Sequence, residues 1–169
     1  MKRALACIVL SLAAWASTAG AAETQPFTAD SLATIKAKYA GRPFILSLWS
    51  VSWCGHCIAE LTMLGKVAAE LAARGKLARA QKQLPLVLVS TDTPESSPAV
   101  QNTLKRLGLA GMDSWMFDDD IPERLRHVID PDWHGELPRT YLYDARHQRE
   151  VVVGVLNEQQ LKAWLQKNH

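Results

Sequence analysis

The chain has 169 residues, of which 48% are hydrophobic and 21% charged, and a formal net charge of +2. Basic and acidic residues are intermixed, so nothing points to a nucleic-acid partner, and no internal repeat or low-complexity tract is present. The locally basic stretch from Arg74 to Lys82 reads as a solvated helix end and loop.

Met1-Lys2-Arg3 is a basic start, and Ala4 to Ala16 is an apolar run too short for a membrane span. Ala19 to Ala22 offers small residues for cleavage. Residues 1–22 are therefore expected to be a signal peptide that routes the chain to the periplasm or an equivalent exported space. Residues 23–169 remain, a single domain by size. At about 147 residues it buries roughly 68–70% of its unfolded surface and needs no disulfide for stability.

A helix is expected from Ser31 to Tyr39, capped by Asp30 or Thr28 and broken at Gly41-Arg42-Pro43. Phe44 to Ser50 is a short apolar run, a buried strand. From about Cys54 to Arg74, Ile58, Leu61, Leu64, Ala68 and Leu71 recur at helical spacing, and Gly75 ends that helix. Leu86 to Ser90 is a second buried strand. A turn at Thr91 to Pro94 leads to a helix from about Pro98 to Leu107. Gly108 and Gly111 bracket a connection to a short strand at Trp115 to Phe117. Asp118-Asp119-Asp120 before Ile121-Pro122 reads as the cap of a helix that runs to Ile129. Residues 130–135 form a loop. Tyr141 to Asp144 and Val151 to Val153 are a strand pair joined by a turn. Asn157 opens the last helix, with Gln160 completing a capping box and Leu161, Trp164 and Leu165 on its apolar face. Alternating strands and helices, closed by a hairpin and a helix, predict an α/β sandwich with a central mixed β-sheet flanked by helices.

The chemistry points to Trp53-Cys54-Gly55-His56-Cys57. Of three cysteines, Cys7 lies in the signal segment, which leaves Cys54 and Cys57. A bridge across two residues closes almost no loop, so it is a poor staple and a fit redox centre. Its place between a strand and a helix puts Cys54 at the helix start, where peptide N–H groups and the helix dipole favour a thiolate. A haem site of the C-x-x-C-H kind is disfavoured by Ile58, and closed zinc sites need four ligands. A protonated His56 would stabilise the Cys54 thiolate and make the protein more oxidising. Glu60 lies one turn after Cys57, on the same side of the helix. His127, His147 and His169 read as surface residues.

Trp53-Cys54-Gly55-His56-Cys57 after a strand, and Leu137-Pro138-Arg139-Thr140-Tyr141-Leu142-Tyr143-Asp144 about eighty residues later, together resemble the thioredoxin fold. The closer resemblance is to the secreted TlpA/ResA-like thiol–disulfide oxidoreductases, with Leu86 to Leu107 similar to the family's extra strand–helix unit. By that resemblance Cys54 is the nucleophile, Cys57 the resolving thiol, and Glu60 the acidic residue after the second cysteine. Pro138 is implied to be a cis-proline facing the cysteines. Trp53, Gly55, His56, Trp133, Leu137 and Pro138 would then line the substrate groove, with His134 near it.

Two departures stand out. Leu48 occupies the position of thioredoxin's buried aspartate, which shifts the proton relay to Glu60. Thr62 stands where many relatives carry proline. The resemblance implies a monomer with no organic cofactor or metal. Its partners are protein thiols and disulfides, and a reductase of this type draws electrons from a donor, often a membrane thiol transporter. One alternative is a copper-handling thioredoxin-fold chaperone holding Cu(I) with Cys54, Cys57 and a histidine such as His134. Another is a binding module with a permanent disulfide.

Overall fold

The computed structural model describes residues 24–73 and 84–168. The expected signal segment and the expected end of the motif helix near Gly75 lie outside the described residues. Six strands form one sheet: β1 (Gln25–Phe27), β2 (Phe44–Trp49), β3 (Leu86–Ser90), β4 (Asp113–Phe117), β5 (Arg139–Tyr143) and β6 (Arg149–Val153). Their order is β1-β4-β3-β2-β5-β6. The β1–β4, β4–β3 and β3–β2 pairs are parallel, whereas β5 and β6 run antiparallel. The helices are α1 (Ser31–Lys38), α2 (Cys57–Ala73), α3 (Ser97–Arg106), α4 (Pro122–Ile129) and α5 (Glu158–Lys167), with a 3₁₀ turn over Pro94–Ser96. This is the expected sandwich around a mixed sheet.

Every residue of β2, β3 and β5 is buried, because helices cover both faces of the sheet's centre. One core holds Ile45, Trp49 and Leu88 against Cys57, Leu61 and Leu64 of α2, Val100 of α3 and Leu161 of α5. The other holds Phe44, Leu46, Leu48 and Tyr141 against Ile35 of α1 and Leu125 of α4. Pairing of Leu48 with Arg139 brings the end of β2 beside the start of β5. The motif loop leaves the sheet at this edge, and the Leu137-Pro138 segment enters at the same edge.

Several local expectations are corrected. The motif helix begins at Cys57, not Cys54; the Cys57 N–H reaches the Cys54 carbonyl at 3.3 Å in a turn ahead of it. Neither Asp30 nor Thr28 caps α1 through its side chain; instead the Thr28 N–H donates to Ser31 Oγ at 2.8 Å. The α4 cap is Ile121, whose own N–H donates to Asp119 Oδ1 at 2.8 Å. In the Leu86–Leu107 unit, β3 pairs directly with β2 in the middle of the sheet. Strand β1 was not expected. It is short and contains Pro26, which an edge strand tolerates. The capping box of α5 forms as expected, with Gln160 N–H to Asn157 Oδ1 at 2.9 Å and Asn157 N–H to Gln160 Oε1 at 3.2 Å.

At Gly65 the backbone of α2 meets the end of α3. A Cβ there would sit 2.5 Å from the Leu107 carbonyl oxygen. Gly65→Ala therefore forces the two helices apart despite alanine's better helix propensity, and it should destabilise the protein by about 1–3 kcal/mol in denaturant unfolding. A gain in stability would show that the contact relaxes freely.

Candidate thiol–disulfide site

Cys54 and Cys57 form a disulfide with their Cα atoms 5.4 Å apart. Cys57 is fully buried at the first turn of α2, and Cys54 is half-buried in the preceding turn. The outer sulfur is therefore the one a partner can reach. Trp53 is 56% exposed beside it, and Gly55 and His56 are also exposed. An aromatic ring left in water next to a reactive sulfur offers contact area to a polypeptide.

Across the sheet edge, the Leu137–Pro138 peptide bond is cis, as the resemblance implied. Leu137 and Cys54 both pack against the core that contains Cys57. Pro138 is buried, and its carbonyl accepts the Gly154 N–H at 2.9 Å. The expectation for Trp133 is corrected: it is only 3% exposed, and its indole N–H donates to the Glu136 carbonyl at 3.0 Å. It anchors the loop from inside and offers no face to a substrate. His134 is exposed, and its backbone N–H donates to Glu136 Oε2 at 3.2 Å. Among the described residues no three His, Cys, Asp or Glu side chains are grouped as a metal site, so Cys54, Cys57 and His134 do not converge.

Glu60 is 1% exposed, three residues into the helix after Cys57. Its Oε1 accepts Ser47 Oγ–H at 2.9 Å and Thr140 Oγ1–H at 2.7 Å, and its Oε2 accepts the Leu156 N–H at 2.7 Å. Burial pushes its carboxyl above the usual glutamate range, against the pull of those three hydrogen bonds. Ser47 lies between Leu46 and Leu48, which belong to the opposite core. Leu48 thus points away from the Cys57 side, and Ser47 with Glu60 supplies the polarity there.

Two buried acids escaped sequence reasoning. Asp92, just after β3, binds the loop that precedes Cys54. Asp130 accepts Arg139 Nη2–H at 2.8 Å, Tyr141 O–H at 3.0 Å and Arg149 Nη2–H at 2.9 Å. Arg149 also donates to the Ile129 carbonyl at 3.0 Å, so α4, β5 and β6 meet at one carboxylate. The available signal was placement: Asp92 follows the apolar strand β3, and Asp130 follows α4 at its last buried residue, Ile129.

No family model matches the sequence, and no curated protein matches it. Solved structures do. A thiol:disulfide interchange protein of the thioredoxin family from Chlorobium tepidum is 21% identical over 79% of this chain and 83% of its own, with a TM-score of 0.56. A secreted Mycobacterium tuberculosis disulfide oxidoreductase, homologous to E. coli DsbE, is 19% identical over 78% of this chain and 85% of its own, with a TM-score of 0.51. A secreted thiol-disulfide isomerase from Corynebacterium glutamicum is 18% identical over 75% of this chain and 70% of its own, with a TM-score of 0.56. The chain has the thioredoxin fold.

Burial works against the charge of Asp130, but its bonds to Arg139, Tyr141, Asp132 and Arg149 outweigh burial and hold the carboxyl at about 2. A carboxyl depressed on folding stabilises the native state above its unfolded pKa of about 3.9, and that stability is lost as the pH falls toward 2. Asp130→Asn should cost about 3 kcal/mol at neutral pH, because two guanidinium groups lose their shared partner. It should also flatten stability between pH 4 and 2 relative to wild type, as read by urea unfolding. Parallel pH curves for the two proteins would contradict the assignment.

Proposed function

We propose that this thioredoxin-fold chain is an exported thiol–disulfide oxidoreductase of the TlpA/ResA type, exchanging disulfides with substrate proteins through Cys54 and Cys57. The observation that carries the reading is the disulfide at the head of α2, with one sulfur reachable and the other fully buried. Export is supported by the basic and apolar start of the sequence. It is also supported by the secreted neighbours.

In the reducing direction the Cys54 thiolate attacks one sulfur of a substrate disulfide. A mixed disulfide forms, and the substrate's other sulfur leaves as a thiolate that takes a proton. Cys57 then gives up its proton and attacks Cys54 Sγ. The substrate's second sulfur departs, and the chain is left with its own disulfide. Two electrons have passed to the substrate, and a thiol donor, such as a membrane thiol transporter, restores the dithiol. Exposed Trp53, Gly55 and His56, with Leu137 and Pro138 opposite, form the groove for the substrate chain.

Glu60 suits the proton step. Its raised carboxyl lies closer to a thiol in proton affinity than an ordinary glutamate does, one turn from the buried sulfur. As the base for Cys57 it works when ionised, so the resolving step slows as the pH falls through its pKa.

Cys54→Ser should abolish exchange with insulin, whereas Cys57→Ser should accumulate mixed disulfides on non-reducing gels. Trapping by Cys54→Ser alone would reverse the two roles. Glu60→Gln should slow mixed-disulfide resolution at least tenfold at neutral pH, with recovery as the pH rises into the thiol range. A rate profile identical to wild type would reduce Glu60 to a structural tie.

A further inference from the structure

Asp92 is 4% exposed at the edge of the sheet from which the motif loop departs. Its Oδ1 accepts Ser50 Oγ–H at 2.7 Å and the Ser52 N–H at 3.1 Å. Its Oδ2 accepts the Val51 N–H at 2.8 Å and Ser90 Oγ–H at 2.6 Å. Ser50 Oγ in turn accepts the N–H groups of Ser52 at 3.1 Å and Trp53 at 3.2 Å. Each peptide N–H from Val51 to Trp53 is thus directed to one carboxylate, either straight or through one hydroxyl. The Asp92 N–H returns to Ser90 Oγ at 3.1 Å, which locks the acid itself.

We propose that Asp92 is the positioning residue of the thiol site. Its carboxylate fixes the backbone of residues 51–53 so that Trp53 and Cys54 are presented at the sheet edge, and its charge opposes the Cys54 thiolate. The assignment rests on Cys54 being the attacking thiol. Three N–H groups that precede α2 point toward Asp92, so they are not free to solvate a sulfur anion. The anion they hold accepts the Ser52 N–H, two residues before Cys54. Both effects disfavour the thiolate, and with it the reduced form, and so push the pair toward stronger reducing power.

Burial works against the charge of Asp92, but bonds from Ser90, Ser52, Val51 and Ser50 outweigh it and hold the carboxyl below the usual aspartate range, so the charge is present at neutral pH. The titratable side chains next to the thiols on their own segment are His56, inside the motif, and Glu60, one turn into α2, while Glu95, His134 and Glu136 lie on other loops. Among the hydrogen bonds of the described residues, none of these reaches the 51–53 backbone.

The test compares reduced full-length wild type with Asp92→Asn, which keeps shape but not charge, and Ser50→Ala, which keeps the charge but cuts the tie to Trp53. All three proteins carry Cys7→Ser, so iodoacetamide alkylation followed against pH reads Cys54, because Cys57 is buried. Asp92→Asn should lower the midpoint of Cys54 ionisation by about one pH unit. Ser50→Ala should leave that midpoint within a few tenths of a unit, change Trp53 fluorescence, and slow attack on insulin several-fold. An unchanged or raised midpoint in folded Asp92→Asn overturns the proposal. Should circular dichroism show that Asp92→Asn does not fold, Ser50→Ala decides, and wild-type fluorescence with wild-type insulin rates overturns it. If wild type fails to reduce insulin while the midpoint still shifts, the oxidoreductase reading falls and the role of Asp92 stands.

Discussion

The seat of α2, the helix that starts at Cys57, depends on one buried carboxylate. Glu60 takes a hydroxyl from β2, a hydroxyl from β5 and a peptide N–H from the chain entering α5, and it sits on the helix that starts at Cys57. Four segments distant in sequence meet at two oxygen atoms. Burying a carboxylate is costly unless its lone pairs are filled, and three short hydrogen bonds offset much of that cost. The remainder appears as the raised proton affinity of the group. The same tie that fixes α2 against β5 therefore gives the acid its chemical character.

Around this centre the edge of the sheet is organised by two further acids. Asp92 gathers the loop before Cys54, and Asp130 gathers the strands and helix behind Pro138. The parts that meet solvent, Trp53, Gly55 and His56, project from a frame in which the carboxylates of Glu60, Asp92 and Asp130 are all hydrogen-bonded. Rigid support beneath an exposed reactive group is what thiol exchange needs, because the attacking sulfur must line up with the disulfide it cleaves. The ion pairs between α2 and α5, such as Lys66 with Glu158 at 3.1 Å, lie on the surface and contribute little by comparison.

The fold was legible because its central strands β2 and β3 are continuous apolar runs and its helices carry clear periodicity. The motif was legible because C-x-x-C at a strand–helix junction has few other uses. The Cys54–Cys57 pair, Glu60 one turn after it and the cis-proline followed from position and resemblance. Trp133 misled because an aromatic residue in a loop looks the same in sequence whether it faces in or out; its burial is decided by α4 and by Phe117, 6.5 Å away between ring centroids. The start of α2 was placed early because a turn and a helix share the same spacing over three residues. Asp92 and Asp130 could not be seen, because their partners lie far away in the sequence or on other strands. Asp92 is 42 positions from Ser50 and Asp130 is 19 from Arg149.

The polar ties also answer a problem that the apolar pattern leaves open. In a strand buried on both faces, alternation carries little information about register, since a slip of one residue still places apolar groups in both cores. Strand β5 is such a strand, with Tyr141, Leu142 and Tyr143 all buried. Its polar residues are not interchangeable in this way. Thr140 reaches Glu60 on one face, and Arg139 and Tyr141 reach Asp130 on the other. A one-residue slip would turn Arg139 toward the core that holds Cys57 and withdraw the hydroxyl from Glu60, leaving charges unpaired on both sides of the sheet. Register is thus set by three polar side chains of β5 and the two acids they reach, and Pro138 immediately precedes that strand. The position of the proline relative to the disulfide follows from these pairings, not from the loop that contains it.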